Sequence, residues 1–286
     1  MHPAKPSRDP VFPELTEDVV GRIAATADAR VRDVMEILIR HLHAFVREAS
    51  LSHEEWRNAV EFLTRTGKIC SEKRQEFILL SDILGVSMLV DAVNNSAGTG
   101  LTDWTVLGPF YAGPQRELAH GDTIPLRGED GPPLVVEGTV TSRNGAPISN
   151  ALVEVWQTAP NQLYDVQDDA QPEGHLRASF RTDERGTFSF KSVLPVSYPI
   201  PDDGPAGQLL QMMGRHPFRP AHVHFMISAR GHRTLVTHLF LSGDAYLDSD
   251  AVFGVKPSLI VTPEERDGLH RIVYHFGLES LDHSRA

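Results

Sequence analysis

Cysteine is almost missing from this chain: Cys70 is the single one in 286 residues. A lone thiol rules out an internal disulfide framework and any zinc site built from several cysteines. Cys70 itself reads as a structural thiol in a helical segment. Long apolar runs are missing too, and none approaches the ~20 residues that a membrane-spanning helix needs. The first ten residues, Met1 to Pro10, hold three prolines and no hydrophobic signal region. They read as a loose arm on a protein expected to be soluble and cytoplasmic. Positive charge is in deficit, since 27 Lys and Arg stand against 38 Asp and Glu, a formal net charge of −11. An acidic surface argues against nucleic acid and anionic membranes as partners. It also means that an anionic substrate or product needs local positive charge, which Arg219 can supply.

What is present falls into two grammars. From Thr16, a plausible helix N-cap, apolar residues recur at three- and four-residue steps: Val20, Ile23, Ala27, Val31, Val34, Leu38, Leu42 and Phe45. Ser52-His-Glu-Glu55 reads as a capping box opening a second helix that carries Trp56, Val60 and Leu63 and closes at Gly67. A third helix is expected from Ser71 to about Asn94. Beyond it the pattern alternates: Leu134 to Val140, Ala151 to Gln157, Thr187 to Val193, His222 to Ser228, and Thr234 to Leu241. Short alternating runs joined by Gly/Pro turns indicate an antiparallel sandwich or barrel. The fold is therefore expected to be α+β, with helices over residues 1–105 and a β-sandwich domain over 106–286. The segment from Thr102 to about Gly131 is long but is expected to be ordered and functional.

The most informative spacing is His222-Val-His224. On a strand, residues i and i+2 share a face. Two imidazoles then converge on one point while Val223 and Phe225 face the other way, an arrangement that suits a metal. Two surface histidines are the plainer reading of that spacing alone. Tyr164, in Asn161-Gln-Leu-Tyr-Asp165, and Tyr198, in Leu194-Pro-Val-Ser-Tyr-Pro-Ile-Pro201, add weight to the metal.

With these stretches the chain resembles the intradiol ring-cleavage dioxygenases. Leu107-Gly-Pro-Phe-Tyr111, Ala151-Leu-Val-Glu-Val-Trp-Gln157, Arg181-Thr-Asp183 and Gly214-Arg-His-Pro-Phe-Arg-Pro-Ala-His-Val-His224 carry the same resemblance. It implies one Fe(3+) per subunit held by Tyr164, Tyr198, His222 and His224, with a hydroxide as fifth ligand. Phenolate is a hard, basic donor that favours the ferric state. The reaction implied is cleavage of a 1,2-dihydroxybenzene by O2 to a diacid, with no external reductant. Tyr198 would be the ligand that departs with a substrate proton, and Arg219 would stand beside the ring to stabilise negative charge. The implied pocket walls are Leu79, Val106, Gly108, Pro109, Phe110, Ile200, Pro201 and Val252.

The segment Gly243-Asp-Ala-Tyr-Leu-Asp-Ser-Asp-Ala-Val-Phe-Gly-Val-Lys256 is similar to the branch that cleaves hydroxyquinol (1,2,4-trihydroxybenzene). Asp82 would accept a hydrogen bond from the third ring hydroxyl; its bland reading is a polar residue on an apolar helix. His238, where many catechol-cleaving relatives carry glutamine, would orient a ligand or the bound oxygen, or is an ordinary core histidine. His41, His43, His270 and His275 carry no expected role, and Trp156 is expected to pack. Resemblance also implies a homodimer through the N-terminal helices, with a lipid at the interface in some relatives. The competing functions are a catechol 1,2-dioxygenase forming cis,cis-muconate, a non-enzymatic β-sandwich binding module, and a cupin-like metal enzyme. Two local departures from the family pattern are Gln162-Leu163 before Tyr164 and Ala178 after Leu176-Arg177.

Overall fold

The computed structural model describes residues 12–71, 74–95, 98–128 and 131–281, so the arm of the first ten residues lies outside it. Two compact units divide between Arg65 and Thr66. Composition changes later in the chain than compactness does.

In the first unit, α1 (Pro13–Ile23) and α2 (Ala29–Ala49) replace the single long helix expected from Thr16. The chain turns after Ile23, and the Asp28 side chain caps α2 by accepting from the Val31 N–H at 3.0 Å. Thr16 therefore sits inside α1 rather than at its cap. Its hydroxyl lies 2.9 Å from His43 Nδ1 and accepts from Arg47 at 3.0 Å, which ties α1 to α2. The Ser52–Glu55 capping box opens α3 (His53–Ile69) with both reciprocal bonds made, at 2.8 and 3.2 Å. That helix runs past Gly67, where it was expected to close. None of the residues of α2 is buried.

The second unit begins with two short helices, α4 (Glu76–Ile83) and α5 (Val86–Asn94), in place of the third long helix. Gly85 breaks the run by taking φ 73°. The buried Glu76 carboxylate accepts the Ala206 N–H at 3.0 Å, at the start of α6 (Pro205–Met212). Leu79 and Ile83 of α4 then pack with Ala206 and Leu210 of α6 and with Ile200, Ala251 and Val252.

A four-stranded sheet is ordered β10 (Glu264–Arg266), β11 (Leu269–Leu278), β1 (Pro133–Ser142) and β4 (Thr187–Val193). A five-stranded sheet is ordered β3 (Arg177–Arg181), β2 (Leu152–Trp156), β7 (His222–Ser228), β8 (Leu235–Leu241) and β9 (Ile260–Val261). A small ladder pairs β5 (Tyr198–Pro199) with β6 (Phe218–Arg219). The sandwich is not wholly antiparallel: β1 pairs β11 and β8 pairs β9 in parallel, so both sheets are mixed. A long return over residues 194–278 brings β11 alongside β1 in the same direction, which no local pattern announces.

The core lies between the sheets. Leu134, Val136, Val140, Phe188, Phe190, Ile272 and Phe276 come from one, and Val153, Val155, Phe180, Val223, Phe225, Ile227, Leu235 and Leu239 from the other. Each Phe buried this way contributes on the order of 2–3 kcal/mol. Gly138 is a glycine because Phe188 fills the space of its missing side chain; a Cβ there would stand 2.1 Å from the ring. The period of two then sends the alternate residues of β2, β7 and β8 to the outer face of the five-stranded sheet. Among the described residues no helix is long and apolar enough to cross a membrane.

Candidate active site

His222 and His224 point away from the core that Val223 and Phe225 help to fill, and both are 1% exposed. Antiparallel pairing sets His238 of β8 directly opposite His224 and Phe240 opposite His222. Directly opposed residues share a face, so three imidazoles meet. Ring centroids of His238 lie 4.1 Å from His224 and 4.7 Å from His222. Trp156, across from His224 on the other neighbouring strand, stacks on it at 4.6 Å and 15°.

Tyr164 arrives from a loop and Tyr198 from the two-residue strand β5. Tyr164 precedes a 3₁₀ turn at Asp165–Gln167, where Gln167 bonds back to it through both its side chain and its backbone, at 3.1 and 2.9 Å. Two residues earlier Gln162 takes φ 69°, the left-handed conformation that a glycine would adopt freely. The departure from glycine before Tyr164 is thus absorbed by the backbone. Ala178, the other departure, is fully buried in the core. Tyr198 pairs in the β5–β6 ladder with Arg219. Phe110 stacks on Tyr164 at 4.6 Å and meets Tyr198 edge-on at 6.3 Å. Gly108 has φ 76°, and a Cβ there would lie 3.4 Å from His224, so the 106–110 segment passes close over the imidazole.

The four predicted ligands converge. Tyr164 Oη lies 2.9 Å from His224 Nε2, which lies 3.1 Å from His222 Nε2. Tyr198 Oη is 3.5 Å from Arg219 Nη1, itself 3.4 Å from His222 Nε2. His222 Nδ1 is 2.7 Å from the Pro220 carbonyl oxygen. A carbonyl only accepts, so Nδ1 carries the proton and Nε2 presents a lone pair to the site.

Electrostatics agree with a cation site. Burial is the largest cause holding all three imidazoles well below their ordinary value, with Arg219 adding to it in each, so they are neutral donors. Burial likewise pushes the Tyr164 phenol well above its ordinary value, reinforced by Tyr198. Arg219 is 2% exposed; burial opposes its charge, but Asp250, Tyr198 and Tyr164 outweigh that and keep it protonated. Its Nε donates to Asp250 at 3.1 Å. Arg177 pairs with Asp165 at 2.6 Å and lies 5.7 Å from the centre of the Tyr164 ring.

A metal fits these residues. His222, His224 and His238 offer ligand atoms within 4.8 Å of one another. His224 Nδ1 and both nitrogens of His238 are buried without a hydrogen-bond partner, a costly state unless something else satisfies the pocket. Neighbouring ligands at about 2.1 Å from one first-row ion stand ~3 Å apart, the spacing seen from Tyr164 to His224 to His222. Two phenols and neutral imidazoles form a hard, oxygen-rich set rather than a thiolate one.

Of the expected pocket walls, Asp82, Val106, Gly108 and Pro109 line a cavity of about 610 Å³. Phe110 packs with Trp156, Tyr164 and Tyr198. Leu79, Ile200 and Val252 pack together in the cluster between α4 and α6, and Pro201 is half-buried beside Ile200. Burial raises the Asp82 carboxyl, with Ser87 and Arg219 pulling the other way and Asp250 adding to it. Two contributors went unread in the sequence, Asp250 and Arg177, whereas Trp156 packs as expected, with His224 as its partner. Asp165 and Asp250 both lie inside the matched segments, but nothing local says which arginine each pairs with.

Residues 106–279 match the family described as Dioxygenase, and residues 28–102 the family described as Catechol dioxygenase N terminus. The chain is 48% identical over 265 residues to the 6-chlorohydroxyquinol 1,2-dioxygenase of Cupriavidus pinatubonensis, covering 92% of this chain and 96% of that one. It is 48% identical to the hydroxyquinol 1,2-dioxygenase of a Rhizobium species, covering 85% and 83%. The crystal structure of hydroxyquinol 1,2-dioxygenase from Pseudomonas putida DLL-E4 superposes with a TM-score of 0.88 at 45% identity, covering 93% and 98%. The chain belongs to the intradiol ring-cleaving dioxygenase family.

The three neutral histidines predict how the metal-free protein responds to acid. Their folded values lie below the unfolded value of 6.5, so unfolding takes up protons once the pH falls under 6.5. Stability is therefore present above 6.5 and is lost as the pH falls, by about 1.4 kcal/mol per pH unit for each histidine. Melting of chelator-treated protein between pH 7.5 and 5.5 should show this loss, and His238→Gln should make it shallower. An unchanged slope in His238→Gln would contradict it.

Proposed function

We propose that the chain cleaves hydroxyquinol between its adjacent hydroxyl-bearing carbons, using O2 and one ferric ion held by Tyr164, Tyr198, His222 and His224. Both oxygen atoms enter the product, 3-hydroxy-cis,cis-muconate, which is a tautomer of maleylacetate. When bound, the ferric ion supplies the charge that holds two ring oxygens as the diolate and makes the ring reactive toward O2.

The protein's own groups do the rest. Tyr198 Oη, 3.5 Å from Arg219 Nη1, takes one of the two hydroxyl protons. Arg219, buried and charged, stabilises negative charge that develops on the ring and on the entering oxygen. Phe110, stacked on Tyr164, keeps water from the phenolic oxygens. His238, buried against His222 and His224 with both nitrogens free, orients a donor or the oxygen beside it.

The observation that carries the choice of substrate is Asp82. It is 4% exposed and lies in the wall of the cavity that Val106, Gly108 and Pro109 also line. A buried acceptor of this kind rewards a third ring hydroxyl and penalises a ring that lacks one. The relatives named as hydroxyquinol dioxygenases, at 48% identity, support the same substrate. Oxygen uptake should show kcat/KM for hydroxyquinol well above that for catechol. Asp82→Asn should lower the hydroxyquinol value by about 10- to 100-fold while leaving catechol within a few-fold. Equal losses on both substrates would remove Asp82 as the reader of the third hydroxyl.

The homodimer is part of the same reading. Val34, Leu38, Leu42 and Phe45 on α2 and Trp56, Val60 and Leu63 on α3 are all more than 40% exposed. An apolar face of that extent supports an interface between two copies, where a lipid would be a further occupant. Sedimentation should give a dimer for the protein and a shift toward monomer for Leu38→Glu with Leu42→Glu. A monomeric wild type would refute it.

A further inference from the structure

We propose that Asp250 is a positioning residue for the reaction: it aims the Arg219 guanidinium at the ring, and residue 254 is glycine so that this aim is possible. The inference rests on the reading of Arg219 as the group that stabilises negative charge on the substrate.

A guanidinium presents its donors in a rigid fork. Asp250 takes one edge of it: Nε donates to Oδ1 at 3.1 Å and Nη2 to Oδ2 at 3.4 Å. That grip leaves Nη1 as the free end, and Nη1 is the nitrogen 3.5 Å from Tyr198 Oη and 3.4 Å from His222 Nε2. Rotation about the end of the side chain would exchange Nη1 for Nη2, and the two-point bond to Asp250 forbids it. Both groups are buried, at 2% and 4% exposure, so water does not compete for either.

The carboxylate is itself held. The Val252 N–H donates to Oδ1 at 3.3 Å and the Gly254 N–H to Oδ2 at 2.8 Å. The chain thus folds back on Asp250 over four residues and fixes its plane. A Cβ on Gly254 would stand 2.9 Å from Arg219 Nη2 and 3.1 Å from Asp250 Oδ2. The end of the Arg219 side chain blocks that Cβ most closely and the Asp250 carboxylate next, so an added methyl group would displace the guanidinium and press on its partner without meeting backbone. Val252, packed with Leu79 and Ile200, sits on the same turn. The turn therefore ties the placement of the charge to the segment that bounds the pocket.

The alternative is that Asp250 merely neutralises a buried cation. Activity read beside stability separates the two, because a mere neutraliser lowers the melting temperature and leaves kcat while an aiming residue lowers kcat, and a double-mutant cycle then shows whether that loss runs through Arg219. Iron-loaded wild type, Arg219→Lys, Asp250→Asn and the double variant would be compared by kcat on hydroxyquinol, by anaerobic visible titration for substrate affinity, and by melting temperature. Asp250→Asn should lower kcat by about 10- to 100-fold with substrate affinity within a few-fold of wild type. The double variant should fall within a few-fold of the more impaired single one. Losses that multiply in the double variant, or wild-type kcat in Asp250→Asn, would overturn the proposal alone. Wild-type kcat in Arg219→Lys would overturn the reading of Arg219 and the proposal with it. Should Asp250→Asn fail to fold, Gly254→Ala decides, since it keeps both charges and displaces the guanidinium from its aim. It should reproduce the fall in kcat at a near-wild-type melting temperature, and an unchanged kcat in it would overturn the proposal.

Discussion

The two-residue period of β7 is the constraint on which the site depends. Val223, Phe225 and Ile227 face the sandwich core, and His222 and His224 face out. A shift of one residue in register would exchange the faces, burying imidazoles among phenylalanines and exposing the core. Core packing therefore fixes where the histidines point. The same register brings His238 opposite His224 from β8 and Trp156 opposite it from β2. Each imidazole is thus located by the hydrogen-bonded sheet, while Tyr164 comes from a loop and Tyr198 from the short β5–β6 ladder outside it. That division suits a centre in which the histidines stay fixed and one phenol moves a proton.

Charge is arranged around this face with the same economy. The imidazoles are kept neutral by burial, and Arg219, a buried cation beside them, has a carboxylate partner. Leaving that cation unpaired would cost several kcal/mol. A second buried pair, Arg177 with Asp165, lies under Tyr164 at 1% and 4% side-chain exposure. The Tyr164 phenol, which burial holds protonated, thus sits close to two guanidinium groups. The pocket favours phenolate as soon as a trivalent cation adds its own charge.

Much of this was legible in the sequence, for identifiable reasons. The strands at 134–140, 187–193, 222–228 and 234–241 announced themselves by alternation, and β1, β4, β7 and β8 lie there. The capping box at Ser52 marked α3 because its two bonds are local. The long helices failed where a local breaker outweighed periodicity: the turn capped by Asp28, and Gly85 with its positive φ. β11 went unread because exposed Leu269 and Val273 stand where alternation calls for polar residues, half-buried His270 shares the inner face with Ile272, and its parallel pairing with β1 is non-local. At the site, residues inside a motif were found and those joined only in space were not. His222 and His224 are two apart in sequence, whereas Arg219 and Asp250 meet across 31 residues.

We propose that ferric iron is held by the phenolates of Tyr164 and Tyr198 and the imidazoles of His222 and His224. The most direct test is the visible absorption spectrum of the iron-loaded protein and of Tyr164→Phe, taken anaerobically before and after hydroxyquinol. The account predicts a broad tyrosinate-to-iron band in the wild type that moves to the red when the diol binds, and its loss in Tyr164→Phe. A protein that stays colourless after iron reconstitution, or a band that survives intact in Tyr164→Phe, would contradict it.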